Sequence, residues 1–319
     1  MKRLRTTRLT ALTLGAALLF AGSLITASSV AQDEAEEPDQ NLYAGRAAVY
    51  ENLAPKSLEH ITSPERIKLV ATGQVAPTEI WRALEHGERV ECLSCIPDVA
   101  TLLYHEDSRA REISAWWLRR RIFGVFGVGQ VYSQVIQTLG DQSATELQRA
   151  YAAEAVGEFL THAGVPALAT AVRTDSSELV RASAVTALRR MNSEGADGEL
   201  AFAMSDSAEV VRLAALDASM RVHSFTGVEE IVLRLDDSSA AVRRSAVEAL
   251  GMMRVGDAVY GLIALTAEGT EPDANVRKAA VASLAMIGDP AASDAITQAL
   301  NDSDLFVRNA AKMARNSGL

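Results

Sequence analysis

From Pro97 onward the apolar residues recur in pairs of helical stripes separated by a short polar turn. Val165, Leu168, Ala169 and Val172 fall on one helix face, and Val180, Ala184, Ala187, Leu188 and Met191 on the face of a second. This is the helical period of about 3.6 residues with a narrow, alanine-rich apolar side. Between the two lies Asp175-Ser-Ser, and the second helix opens around Arg181. The same order returns 31 residues later at Asp206 and Arg212, and again at Asp237 and Arg243. Aligned on that arginine, successive units carry Arg111, Arg149, Arg181, Arg212, Arg243, Arg277 and Arg308. A fixed period of this size predicts a row of stacked helix pairs, each contacting only its neighbours.

The turn acid keeps register with the arginine. Asp175, Asp206, Asp237 and Asp302 each stand six residues before it, and Glu271 does so before Arg277. Carboxylates and guanidiniums at a fixed offset predict a structural ladder, each acid accepting from helix-start N–H groups and from an arginine of its own or the next unit. Catalytic use of these acids is not expected, since every unit needs the same turn. His105 and Ser143 stand in the acid's place in the first two units, so the ladder should be less regular there.

The runs Val242-Arg-Arg-Ser-Ala-Val-Glu-Ala-Leu-Gly251 and Val276-Arg-Lys-Ala-Ala-Val-Ala-Ser-Leu284 resemble HEAT repeats, in the bacterial form similar to phycobilisome-lyase repeats. The resemblance covers roughly residues 98–319, in about seven helix pairs. It implies an all-α, right-handed α-α superhelix, and its motif residues are those that build the stack. One HEAT-like group, the di-iron hydroxylases acting on a modified lysine, carries His-Glu directly after the helix arginine. Here that place holds Glu112, Ala150, Ala182, Leu213, Arg244, Lys278 and Asn309, so the di-iron reading has no support.

The segment before the repeats divides by composition. Residues 1–31 read as a cleavable signal peptide. Lys2, Arg3, Arg5 and Arg8 precede an apolar run from Leu9 to Ile25, and Ser29-Val30-Ala31 is a small-residue cleavage site. Export to the periplasm or outside the cell is therefore expected, with no membrane span left afterwards. Residues 32–55 form an acidic, disordered leader and 56–97 a helical cap. In the cap Ser63-Pro64-Glu65 and Ala76-Pro77 each open a helix. The whole chain carries a net charge of −10, and all four basic residues of the leader peptide leave with it. So acidic a surface argues against nucleic acid as a partner.

Binding chemistry is expected where the repeat is broken, and the breaks gather in the first two units. Nine of the sixteen aromatics lie between Trp81 and Phe159. Trp116, Trp117, Arg119, Arg120, Arg121, Phe123 and Phe126 are the candidate partner-binding patch, since tryptophan, tyrosine and arginine dominate interface hot spots. The competing reading is that the tryptophans fill the junction between cap and repeats. Cys92 and Cys95, the only cysteines, are disulfide candidates that would pin the cap to the first repeat. A redox pair and a zinc site completed by His86 and His105 are the alternatives, without thioredoxin-like context or diagnostic ligand spacing. His60, His86, His105, His162 and His223 share no spacing, and no Gly-x-Ser-x-Gly element is present. The function expected is a non-catalytic scaffold or adaptor that holds another protein or peptide, with no cofactor, no metal and no small-molecule ligand. The alternative is an enzyme or cofactor-handling protein on the same fold, bilin-lyase-like or hydroxylase-like.

Overall fold

Each unit begins with a short helix, turns through an acid-bearing corner and returns along a longer helix, and the corners stay in register along the array. The computed structural model describes residues 63–122, 129–192, 196–222 and 225–316. The segments expected as signal peptide and acidic leader, with Phe123 and Phe126, lie outside the described residues.

Two helices come first. Helix α1 (Pro64–Thr72) is capped by Ser63, whose hydroxyl accepts from Arg66 N, and α2 (Pro77–His86) ends at Gly87. Then follow α3 (Ile96–Thr101), α4 (Ser108–Ile122), α5 (Gln130–Gly140), α6 (Glu146–Phe159), α7 (Val165–Thr174) and α8 (Glu178–Met191). The remainder are α9 (Asp197–Ala203), α10 (Glu209–Ser219), α11 (Val228–Leu233), α12 (Ala240–Met252), α13 (Val259–Ala264), α14 (Ala274–Ile287), α15 (Ser293–Ala299) and α16 (Leu305–Asn316). From α3 onward the odd-numbered A helix packs on the B helix that follows it, and each B helix packs on the next. The product is an all-α superhelical solenoid.

Alanine makes the close stacking possible. Ala150, Ala152, Ala153 and Ala155 on α6 are buried, as are Ala184 and Ala187 on α8. Gly157 is required at the same contact, because a Cβ there would lie 2.8 Å from Ala187 Cα. Larger residues such as Leu168, Leu188, Leu200 and Leu250 fill the space between A and B helices. The interior is thus a continuous row of small apolar cores.

Between the cores runs the polar ladder. Arg149, Arg181, Arg212, Arg243 and Arg277 each reach forward to the acid of the next unit: Asp175, Asp206, Asp237, Glu271 and Asp302. In every rung Nε and Nη2 donate to the two carboxylate oxygens at 2.6–2.9 Å. From Arg181 onward Nη1 of each arginine turns back to two carbonyls of its own corner, as with Arg181 on Asp175 O and Ser176 O. The acid also accepts the N–H two residues on, for example Ser177 N to Asp175 at 2.9 Å. A guanidinium fork against a carboxylate fork is the strongest geometry available to such a pair.

The acids respond accordingly. Bonds from Arg277 hold Asp302 below the usual carboxylate range against the opposing effect of burial. For Asp175, Asp206, Asp237 and Glu271 burial is the largest single effect and would raise the pKa. The arginine bond and the backbone N–H together outweigh it, so each carboxyl lies below its ordinary value.

Candidate protein-binding groove

The ladder fails at its first step, and the failure shapes the surface. From its acid to the helix start, the corner between α5 and α6 is two residues longer than the one between α7 and α8. Its acid, Asp141, accepts from Ser143 N at 2.9 Å as Asp175 does from Ser177 N, but it lies eight residues before Arg149 and receives no arginine. Arg111 instead turns its Nε to Glu154 on the exposed side of α6, at 2.8 Å, while Nη1 keeps the usual bonds to His105 O and Glu106 O. His105 occupies the acid's seat in its own corner, its Nδ1 accepting Asp107 N at 2.9 Å.

Drawn outward, Arg111 stacks over the Tyr151 ring at 3.8 Å. Both line a groove of about 220 Å³ across the B helices α4, α6 and α8. Its floor is Leu103, Ala115, Ala155 and Ala187, and its walls carry Glu112, Glu154, Glu158, Arg189 and Arg190. Arg190 Nε bonds Glu158 at 2.6 Å, and its Nη2 sits 3.7 Å from Glu112. Burial pushes Glu158 above the usual carboxylate range, only in part opposed by Arg190. A second cavity of about 390 Å³, between Pro77, Thr78, Trp81 and Arg109, meets the groove at Glu112. Together they offer an apolar floor, two aromatic walls and charges of both signs, as an extended peptide segment requires. Among the described residues no group of three His, Cys, Asp or Glu side chains is placed to hold a metal. No helix of the described residues is long and apolar enough to cross a membrane.

The patch expected on α4 divides in two. Trp117 and Arg121 are buried, which corrects their reading as binding residues. Trp117 Nε1 donates to Gly87 O at 3.0 Å, and the Arg121 guanidinium lies 3.6 Å over the Trp117 ring. Arg121 Nη2 also bonds the carbonyls of Glu88 and Val90, tying α4 to the chain end of α2. Burial lowers its pKa to about 10, so it remains charged at neutral pH. Trp116 is half-buried, with Arg120 5.7 Å from its ring and paired to Glu88. Arg119 bonds Glu158 O at 3.2 Å, behind the groove. Adjacent residues on a helix point about 100° apart, so the two members of a tandem pair can meet different surroundings.

Cys92 and Cys95 are bonded to each other, and both are buried. The bond closes a loop within one short segment and does not itself span cap and repeats. That junction is held by Trp117 and Arg121. Glu112, Tyr151, Glu154 and Glu158 were not marked by the sequence. The available signal was the lost register of Arg111, whose following corner lacks an acid at the standard offset.

The model of the HEAT-repeat family matches residues 132–219 and 228–315. Yeast importin-β (Kap95p), in a complex with Nup1, is 14% identical with a TM-score of 0.59, over 89% of this chain and 44% of its own. The chain therefore spans less than half of that relative. Escherichia coli YibA is 13% identical with a TM-score of 0.53, over 82% of this chain and 96% of its own. The Nostoc phycocyanin lyase complex of CpcE and CpcF is 20% identical with a TM-score of 0.37, over 70% of this chain and 86% of that one. At these identities the likeness is one of fold, and no curated protein matches. With the family pattern matched over more than half its length and the arginine–acid corners in place, the chain belongs to the HEAT-repeat family.

Proposed function

We propose that this protein is an exported, non-catalytic adaptor that holds a segment of a partner protein in the groove across α4, α6 and α8. The observation that carries the reading is the displaced first rung. Regular repeat positions are consumed by stacking, whereas here a longer corner frees Arg111 to build a surface with Tyr151 and Glu154. HEAT repeats commonly serve protein interactions, and the solved importin-β complex with Nup1 is one case on a related fold. Export rests on the arginine-rich, apolar N-terminus.

The test is capture from an envelope extract on immobilised residues 32–319, beside Glu112→Lys, which reverses a charge, and Thr186→Tyr, which fills the groove that Thr186 also lines. A protein held by the parent and lost from both variants, then rebinding as a purified partner, supports the adaptor and its site. Equal retention by all three removes the groove. Purified protein that carries a chromophore or a stoichiometric metal would overturn the non-catalytic reading in favour of a cofactor-handling one.

A further inference from the structure

Three successive B helices open with an exposed glutamate followed by an exposed aliphatic residue: Glu146-Leu147 on α6, Glu178-Leu179 on α8 and Glu209-Val210 on α10. In each, the acid takes the first helical position and the apolar residue stands two places before the ladder arginine. Leu147, Leu179 and Val210 are 49%, 39% and 46% exposed. A single exposed leucine needs no explanation. An acid at a helix start is favoured by the backbone dipoles, but that does not call for an apolar neighbour. Stacking does not use these side chains either, since it buries Ala150, Val180 and Val211 beside them. The rungs Arg149–Asp175 and Arg181–Asp206 lock the three helix starts into one register. α12 opens with Ala240-Ala241, so the row stops after three.

We propose that this rim docks a basic amphipathic α-helix of a partner protein, laid across the starts of α6, α8 and α10. Packed helices lie about 8–10 Å apart, so the apolar side chains recur at about that distance. An α-helix rises about 1.5 Å per residue, which places residues seven apart on one face at about 10.5 Å. An extended strand covers the distance in three residues, but its third residue points to the opposite side. A polyproline helix also repeats at about the right distance, yet such segments dock in aromatic-lined grooves, and this row is aliphatic. The carboxylate beside each apolar residue calls for lysine or arginine next to each anchor. The net charge of −10 favours a cationic partner as well. Among the described residues Glu146 is the one of the three acids that accepts a side-chain hydrogen bond, from Ser177 Oγ at 2.9 Å, while Glu178 lies in the field of Arg181. The rim lies a turn or more from the groove residues Tyr151, Glu154, Ser183 and Thr186 on the same helices, so it does not depend on the groove being a site.

The test is fluorescence anisotropy of the full chain with a stapled three-heptad peptide carrying leucine at each seventh position and lysine beside it. A peptide of the same composition with leucines spaced one residue closer, and a proline-rich peptide with leucine at each third position, are the comparators. Expected is saturable binding of the heptad peptide only. It should weaken about ten-fold or more in Leu147→Ser/Leu179→Ser/Val210→Ser, and also in Glu178→Lys/Glu209→Lys. Both variants change exposed residues, and their melting curves check the fold. Thr186→Tyr in the groove should leave the affinity unchanged. Binding of the misspaced or proline-rich peptide as well as the heptad one, failure of all three, or unchanged affinity in the rim variants overturns the proposal. Loss in Thr186→Tyr alone assigns the peptide to the groove and overturns it too.

Discussion

Arg181 and Asp206, 25 residues apart in sequence, face each other across a repeat boundary through two bonds of 2.7 and 2.8 Å. The Asp206 side chain is 7% exposed, whereas Glu154, the partner of Arg111, is 38% exposed. Removing one member of a shielded pair strands the other charge; Asp206 takes two arginine bonds and the Ala208 N–H, whereas Glu154 takes one bond from an Arg111 that keeps its carbonyl and Tyr151 contacts. Asp206→Ala should therefore lower unfolding free energy by about 3 kcal/mol and Glu154→Ala by less than about 1 kcal/mol. Urea denaturation followed by circular dichroism measures both. Equal losses would show that the ladder pair is no more shielded than a surface one.

Acid should loosen the array in a defined direction. The ladder acids have folded-state pKa values below their ordinary ones, so on acidification the unfolded chain takes up protons first. Their stabilisation is complete above the ordinary carboxylate range near pH 4 and is lost as pH falls through the lower folded values. Melting temperature should hold through the mildly acidic range and drop below about pH 4, with a shallower drop in Asp302→Asn. A profile flat into strong acid would contradict this.

The two halves of the α4 patch should separate on mutation. Trp117→Ala removes a fully buried indole and its bond to Gly87, and should cost about 3–5 kcal/mol. Arg120→Ala alters an exposed pair and should stay within about 0.5 kcal/mol. Thermal melts of the two variants decide the matter.

Gly157 tests the closeness of α6 and α8. A methyl group there meets Ala187 backbone, which cannot move without shifting α8, so Gly157→Ala should destabilise by about 1–3 kcal/mol although alanine is the better helix former. A more stable variant would mean that the helices can separate at little cost.

The rungs were legible because they obey one offset: acid, then arginine six residues on, in unit after unit. Their direction was not, since the offset within a unit is the same whether the arginine bonds its own acid or the next. What decides it is the stacking distance, which sets the fork opposite the following corner. Glu154 was illegible for a related reason. It lies 43 residues from Arg111, and the acids at the same place in later units, Asp217 and Glu248, pair with Arg221 and Arg244 instead, so nothing in the spacing marks it as a partner of Arg111. Ser143 was read as a substitution for the acid, whereas the acid is present at Asp141 and displaced. Trp116 and Trp117 looked alike in sequence, and only the position of Gly87 tells which faces inward.

Each ladder unit offers an acceptor to the neighbour before it and a donor to the neighbour after it. A unit copied in tandem therefore arrives with both halves of the joint it needs, and the seam between original and copy closes without any new substitution. Lengthening the array by duplication preserves every rung, provided the acid keeps its distance from the helix start. A corner that gains or loses residues between its acid and the helix start forfeits its joint, as the one between α5 and α6 has done. In such an array copies of the regular units are interchangeable, while the first junction is the one place where a change of sequence is no longer answered by its neighbours, and so is free to diverge.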